Sequence, residues 1–212
     1  RAHALLNEKA AVRRPITVEE VLADRVVLEP LTRAMCGGIA DGAASLLLVS
    51  EPFARRHGLS GPRIIASSVE GGRADRGDGP SVTARSAMAA FEQAGVGPNE
   101  IALAEVHDPS SPQELFDIED IGLCLPGEAI VLLEQQATSL GGRIPVNVSG
   151  GLTARGHPVG ATGVAQIVEI AEQLEGRAGK SQVDGARLGL AQMAGGLVGA
   201  DSAVATVHIL SN

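Results

Sequence analysis

The sequence predicts an α/β domain built on a mixed sheet, on three observations. Short apolar runs alternate with longer helical segments from about residue 63 to the C-terminus. The segment after Pro158 carries Val164, Ile167, Val168, Ala171 and Leu174 at helical spacings of three and four. With 44% hydrophobic and 20% charged positions in 212 residues, the chain can bury a sizeable core.

The elements follow in order. The opening RAHALLNEKAAVRRPITVEEVL is polar and Ala-rich, starts at Arg1, and reads as the tail of something longer. Residues 17–24 form a capped amphipathic turn, and VVLEPLT, broken at Pro30, reads as linker. Ala43–Ser50 is a continuous apolar run, expected as a strand buried on both faces, with a short helix ending at Gly58 behind it. Composition divides the chain near residue 60. Arg63–Val69 reads as strand, Gly71–Gly79 as a mobile connection whose Arg73 and Arg76 are solvated, and Ser81–Ala94 as a helix closed by Gly95. Ile101–Val106 is a strand, Gln113–Ile121 a helix, and Val146–Ser149 a short strand. Val159–Leu174 is a helix that lays its apolar stripe on the sheet and turns Glu169, Glu172 and Gln173 outward. Arg187–Met193 and Ala203–Leu210 close the chain as strands.

Composition excludes several functions. Trp and Tyr are absent and Phe53, Phe91 and Phe116 are the only aromatics of that class, so no stacking platform for single-stranded nucleic acid can be assembled. A net charge of −8 has the wrong sign for neutralising phosphates. No apolar run reaches the roughly 20 residues of a membrane span, and the N-terminus has no signal pattern. Cys36 and Cys124 stand apart, with no CxxC and no histidine at metal-ligand spacing, which argues for small buried thiols, no metal site and a reducing cytoplasm.

The chemistry concentrates in Asn147–Gly163, NVSGGLTARGHPVGATG, where five glycines surround His157. Glycines let backbone approach a ligand closely, and His157 just before a helix suits oxyanion stabilisation or activation of a nucleophile. A satisfied loop histidine is the plainer alternative. Neither a Walker nor a Rossmann glycine pattern is present.

Ser149-Gly-Gly with Gly156-His-Pro-Val-Gly-Ala-Thr-Gly resembles the signature of the thiolase superfamily. Val106-His-Asp-Pro-Ser, then ELFDIEDIGLC from Glu114 and Pro126-Gly-Glu, is similar to the sterol-carrier-protein type of thiolase and its lipid-transfer-like relatives. Cys36-Gly-Gly-Ile-Ala-Asp-Gly-Ala-Ala-Ser resembles the last strand of the family's N-terminal domain, and the residues before it the end of its loop domain. The resemblance implies a thiolase-like C-terminal domain over residues 61–212, with a five-stranded mixed sheet and helices on both faces. Residues 1–60 would be a remnant of the loop domain and of the N-terminal domain's last strand and helix.

It further implies a protein that processes acyl-CoA, the CoA thioester being substrate rather than a permanently bound cofactor. The nucleophilic cysteine would come from an N-terminal half, on the same or a separate chain. His157 would activate that cysteine and help hold the thioester oxyanion. His107 would orient a water or donate to the oxyanion, and Gly195 would offer its backbone N–H. Ser149, Gly150 and Gly151 would contact the CoA substrate, with Arg155 a candidate for its phosphates. A homo-oligomer and a small OB-fold partner that binds acyl-CoA are also implied.

Two departures qualify the chemistry. Pro109-Ser110 stand where the branch usually has Cys-Phe, and Met193-Ala194-Gly195 stands where thiolases have Cys-x-Gly. Methionine cannot shuttle a proton. The expected activities are therefore acyl transfer or C–C bond cleavage or formation on a CoA thioester, with a non-catalytic acyl-CoA-binding or scaffolding subunit as the alternative.

Overall fold

A computed structural model describes residues 1–212. The helices are α1 (Ala2–Leu6), α2 (Val18–Leu22), α3 (Glu51–His57), α4 (Val82–Ala94), α5 (Ser111–Ile121), α6 (Ala129–Glu134), α7 (Gly151–Arg155) and α8 (Thr162–Leu174). The strands are β1 (Val26–Leu28), β2 (Leu31–Thr32), β3 (Arg63–Gly71), β4 (Leu103–Glu105), β5 (Leu188–Gly195) and β6 (Val204–Ser211). Four strands form the central sheet in the order β3-β6-β5-β4, with β6 antiparallel to both its neighbours and β4 parallel to β5.

Helices cover both faces of this sheet. Ala87 and Ala90 of α4 and Ile118 and Ile121 of α5 pack with Leu190, Val207 and Ile209 on one side. Ile170 and Leu174 of α8 pack with Leu103, Ala191 and Leu210 on the other. Gly189 lets α8 close down, since a Cβ there would lie 2.5 Å from Ile170 Cγ2. α4 has the boundaries its sequence announces: Ser81 Oγ accepts from Ala84 N at 3.0 Å, and Gly95 ends the helix at φ +67. Ser81 Oγ also donates to Asp120 Oδ2 at 2.6 Å, which ties α4 to α5.

The sheet has four strands rather than the expected five. Val146–Ser149, expected as a strand beside β4, is reduced to one parallel bridge between Val146 and Ala104. Ala104 N donates to Pro145 O at 3.0 Å and Asn147 N to Ala104 O at 2.8 Å, and then Asn147 turns the chain away at φ +53. An extended ladder cannot continue through a left-handed residue.

Four more expectations change. Ala43–Ser50 forms no strand, and Leu47 and Leu48 are 82% and 67% exposed. Its apolar run has no neighbour in this chain, because β3 pairs only with β6. The stretch expected as linker contains an antiparallel hairpin of β1 and β2. α8 is rotated relative to its sequence pattern: Thr162, Gln166, Glu169, Ile170 and Gln173 are buried, while Val164, Ile167, Val168 and Ala171 are only half-buried. Gln173 explains part of this, since its Oε1 accepts from Val183 N at 2.7 Å and its Nε2 donates to Ser181 O at 2.8 Å. Such bonds offset the cost of burying an amide. Cys36 and Cys124 are free and half-buried rather than buried.

Candidate functional site

Two loops at one end of the sheet carry the site. The first leaves β4 as Val106-His107-Asp108-Pro109 and enters α5. The second runs from Asn147 through α7 to His157 and enters α8. Asn147 joins them first: its Oδ1 accepts from Val106 N at 2.8 Å, and its Nδ2 donates to Glu114 Oε2 at 2.6 Å. Glu105, the last residue of β4, accepts from Ser149 N at 2.9 Å and also from Ser149 Oγ. Asp108 Oδ1 then accepts from Leu152 N at 2.7 Å. Side chains at 105, 108 and 147 thus fasten one loop to the other at three successive points.

This clasp places the histidines. His107 N donates to Gln192 Oε1 at 2.8 Å, anchoring the first loop to β5. His157 N donates to Gly38 O at 3.2 Å, and its ring Nδ1 lies 2.9 Å from Thr162 Oγ1. The two imidazoles meet edge to face, with ring centroids 5.4 Å apart and planes inclined by 62°. Burial, reinforced by the charge of His157, pushes His107 down to about 4. Burial and then the Arg155 guanidinium push His157 below the ordinary histidine value. Both rings are neutral at pH 7, so each offers one N–H donor and one bare nitrogen.

The carboxylates beneath the loops are pushed the other way. Burial, then the neighbouring Glu169, raises Glu105 to about 7. Burial first and Glu114 second raise Asp108 well above the carboxylate range, and burial raises Glu114. Asp117 is raised in the same way, and its Oδ2 is buried without a partner. These groups lie where a protonated carboxyl is favoured and serve the site as scaffold.

Ser149, Gly150 and Gly151, expected to meet the CoA substrate, are buried against protein. Ser149 is 0% exposed and committed to Glu105. A Cβ at Gly150 would lie 2.8 Å from Ala4 Cβ, and one at Gly151 2.3 Å from Asp108 Oδ2. The close approach that these glycines permit is that of the chain's own backbone and side chains. Gly195 ends β5 with open space where a side chain would project. Two residues earlier, Met193 lies beside Gly163, with its Cγ 3.7 Å from where a Cβ would stand there. The end of β5 therefore adjoins the first turn of α8, next to Thr162. Arg155 is half-buried, and its Nη2 is buried with no hydrogen-bond partner. It lines a cavity of about 440 Å³ together with Lys9, Asp41, Ser45 and Glu169.

Sequence reasoning passed over Glu105, Asp108, Asn147, Gln192 and Thr162. Glu105 carried a signal, a lone charge at the end of the apolar run Ile101–Val106. Asp108, Asn147 and Gln192 act across sequence separations such as the 85 residues between His107 and Gln192, which no local pattern displays, while Thr162 acts within five residues of His157 at the start of α8.

The family described as thiolase C-terminal domain-like matches residues 76–212. An acetyl-CoA acetyltransferase of Methanothermobacter thermautotrophicus is 40% identical over 210 residues, covering 97% of this chain and 54% of that protein. Sterol carrier protein 2 of Homo sapiens is 35% identical over 89% of this chain and 36% of its own length. The benzoylsuccinyl-CoA thiolase subunit BbsB of Thauera aromatica is 35% identical over 87% of this chain and 49% of that subunit. Among solved structures, one titled Ltp2-ChsH2(DUF35) aldolase superposes with a TM-score of 0.83 at 25% identity, covering 100% of this chain and 55% of that one. The chain thus spans about half the length, or less, of the relatives it matches. By the family model over residues 76–212 and the relative that is 40% identical over 97% of this chain, the chain belongs to the thiolase family through its thiolase C-terminal domain-like region.

Proposed function

We propose that this chain is the C-terminal half of an acyl-CoA-processing protein, one that performs acyl transfer or C–C bond cleavage or formation on a CoA thioester. The observation that carries the reading is the pair of neutral imidazoles, His107 and His157, held edge to face by a buried polar clasp. In this reading residues 61–212 are the C-terminal domain, residues 1–60 belong with a loop domain and an N-terminal domain, and an N-terminal half supplies a cysteine nucleophile. The half-buried stripe of α8 and the exposed apolar run Leu46–Val49 support it, because both are surfaces that a second layer would cover.

In the first step His157 Nε2 takes the proton of the cysteine thiol, and the thiolate attacks the thioester carbonyl carbon. The oxyanion is held by the new Nε2–H, by a neutral His107 N–H and by Gly195 N–H. Collapse of the adduct expels the CoA thiolate, which recovers the proton from His157, leaving an acyl-cysteine. Met193 cannot carry a proton, so the transfer that condensation requires falls to a group elsewhere. Arg155, with Lys9 in the same cavity, offers local positive charge to CoA phosphates in an otherwise acidic chain. An acyl-CoA-binding partner chain is part of the proposal, supported by the two-component title of the structural neighbour. So are homo-oligomerisation and a cytoplasmic location; no helix is long and apolar enough to cross a membrane.

Pro109 and Met193 favour a second reading, a subunit that binds acyl-CoA without turning it over. The test is acyl-CoA turnover by the complete protein and by its His157→Ala variant. A loss of about 100-fold or more in kcat/KM supports catalysis. Turnover unchanged in that variant removes the role given to His157, and acyl-CoA binding with no turnover in either protein selects the binding subunit.

A further inference from the structure

We propose that Thr162 is a positioning residue that fixes His157 as the Nδ1–H tautomer and so keeps Nε2 bare. The inference extends the role given to His157 above, but the tautomer itself is argued from hydrogen bonds alone.

Thr162 is 0% exposed and opens α8, five residues after His157. Its Oγ1 lies 2.9 Å from His157 Nδ1 and donates to Pro158 O at 3.0 Å. A hydroxyl has one hydrogen to give. With that hydrogen on Pro158 O, the bond between Oγ1 and the ring is made by Nδ1–H donating to the oxygen. Both groups are then satisfied by two hydrogen bonds in series. In the opposite arrangement Thr162 donates to a bare Nδ1, the bond to Pro158 O is lost, and one buried hydrogen bond remains where there were two. One net hydrogen bond is worth roughly fivefold in population, which favours Nδ1–H. The bond from a threonine hydroxyl to the carbonyl four residues earlier is also an ordinary one at a helix start.

The tautomer matters because His157 is asked both to accept a proton from a thiol and then to donate to an oxyanion. One nitrogen can do both in sequence only when it starts bare and the other nitrogen keeps its proton throughout. With Nδ1–H held by Thr162, Nε2 accepts the thiol proton, the ring becomes imidazolium, and the new Nε2–H faces the oxyanion. An Nε2–H tautomer would have no lone pair there to receive the proton.

The experiment is two-bond 15N–1H correlation spectroscopy on this chain at pH 7.5, with His157 resonances assigned by their loss in His157→Gln. The expected spectrum shows protonated Nδ1 and bare Nε2 in the wild type and in Thr162→Ser. In Thr162→Val, which keeps the shape and removes the oxygen, the Nε2–H form should rise to at least a comparable population. Predominant Nε2–H in the wild type overturns the proposal, as does an unchanged tautomer ratio in Thr162→Val. If that variant does not fold, Thr162→Ala, which also removes the oxygen, carries the same expectation, and an unchanged tautomer ratio there overturns the proposal. In the complete protein, Thr162→Val should lower kcat/KM by about twofold or more, in proportion to the Nδ1–H population lost, with Thr162→Ser near wild type. Should His157→Ala leave turnover intact while the spectra show Nδ1–H, the functional reading fails and the tautomer assignment stands.

Discussion

Replacing Glu105 by glutamine should change how stability depends on pH. Glu105 is fully buried at the end of β4 and receives both donors of Ser149. Burial and the neighbouring Glu169 raise it from 4.5 to about 7. In the unfolded chain the same carboxyl ionises near its ordinary value. Between about pH 4.5 and 7 the native state therefore holds one proton that the unfolded state has released, and stability falls as pH rises through this window. Each pH unit across it is worth about 1.4 kcal/mol, so the full loss from this group is about 3 kcal/mol by pH 8. A glutamine side chain in this place keeps the shape without titrating: its carbonyl accepts from Ser149 N, and its amide donates to Ser149 Oγ in place of accepting from it, a reversal whose cost does not depend on pH. The assay is urea denaturation of both proteins at half-unit steps from pH 5 to 8. Glu114 and Asp117 titrate in both proteins and largely cancel in the difference, whereas Glu169 and Asp108 face the charge of Glu105, so the difference reports Glu105 together with its effect on these two neighbours. The Glu105→Gln variant should gain on wild type by about 2.5 kcal/mol between pH 5 and 8, the rest of the loss lying below pH 5. A difference independent of pH would refute the claim that Glu105 holds its proton in the native state.

Two further outcomes follow from the clasp and the histidines. Gly151→Ala places a methyl group 2.3 Å from Asp108 Oδ2 at a residue with φ +64, and should cost about 2–4 kcal/mol in a denaturant titration. His107 is depressed to about 4, so below pH 6.5 the unfolded state takes up a proton that the native state refuses. The contribution of His107 is therefore lost from pH 6.5 towards 4, against the opposite trend of the buried carboxyls, so the stability of wild type relative to His107→Gln should fall across that window in a denaturant series extended to pH 4.

The parts of the fold legible in the sequence are those set by local chemistry. Ser81 and Gly95 bracket α4 because a hydroxyl cap and a left-handed glycine act within a turn of the helix. The fifth strand was not legible, since Val146–Ser149 has strand composition and only the left-handed Asn147, held by Val106 and Glu114 from distant positions, ends its pairing. The rotation of α8 was hidden for a similar reason: Glu169 and Gln173 look solvent-facing until the loop at 181–183 arrives to satisfy Gln173. At the site, His157 stood out from its glycine-rich surroundings and His107 through the motif around it. Their edge-to-face contact depends on Glu105, Asp108 and Asn147 bonding across more than 40 residues of chain. At Ser149–Gly151 the sequence leaves two readings, because glycines suited to a ligand's approach are equally suited to that of Asp108 and Ala4.

The central claim is that His107 and His157 act together on one reacting group. A double-mutant cycle in the complete protein tests it most directly, with kcat/KM for an acyl-CoA measured in His107→Ala, His157→Ala and the double variant. Two rings 5.4 Å apart that serve one oxyanion should be strongly coupled, and the double variant should lose little more than His157→Ala alone. Losses that multiply independently would mean that the two histidines do not share a site in catalysis, and would contradict the account.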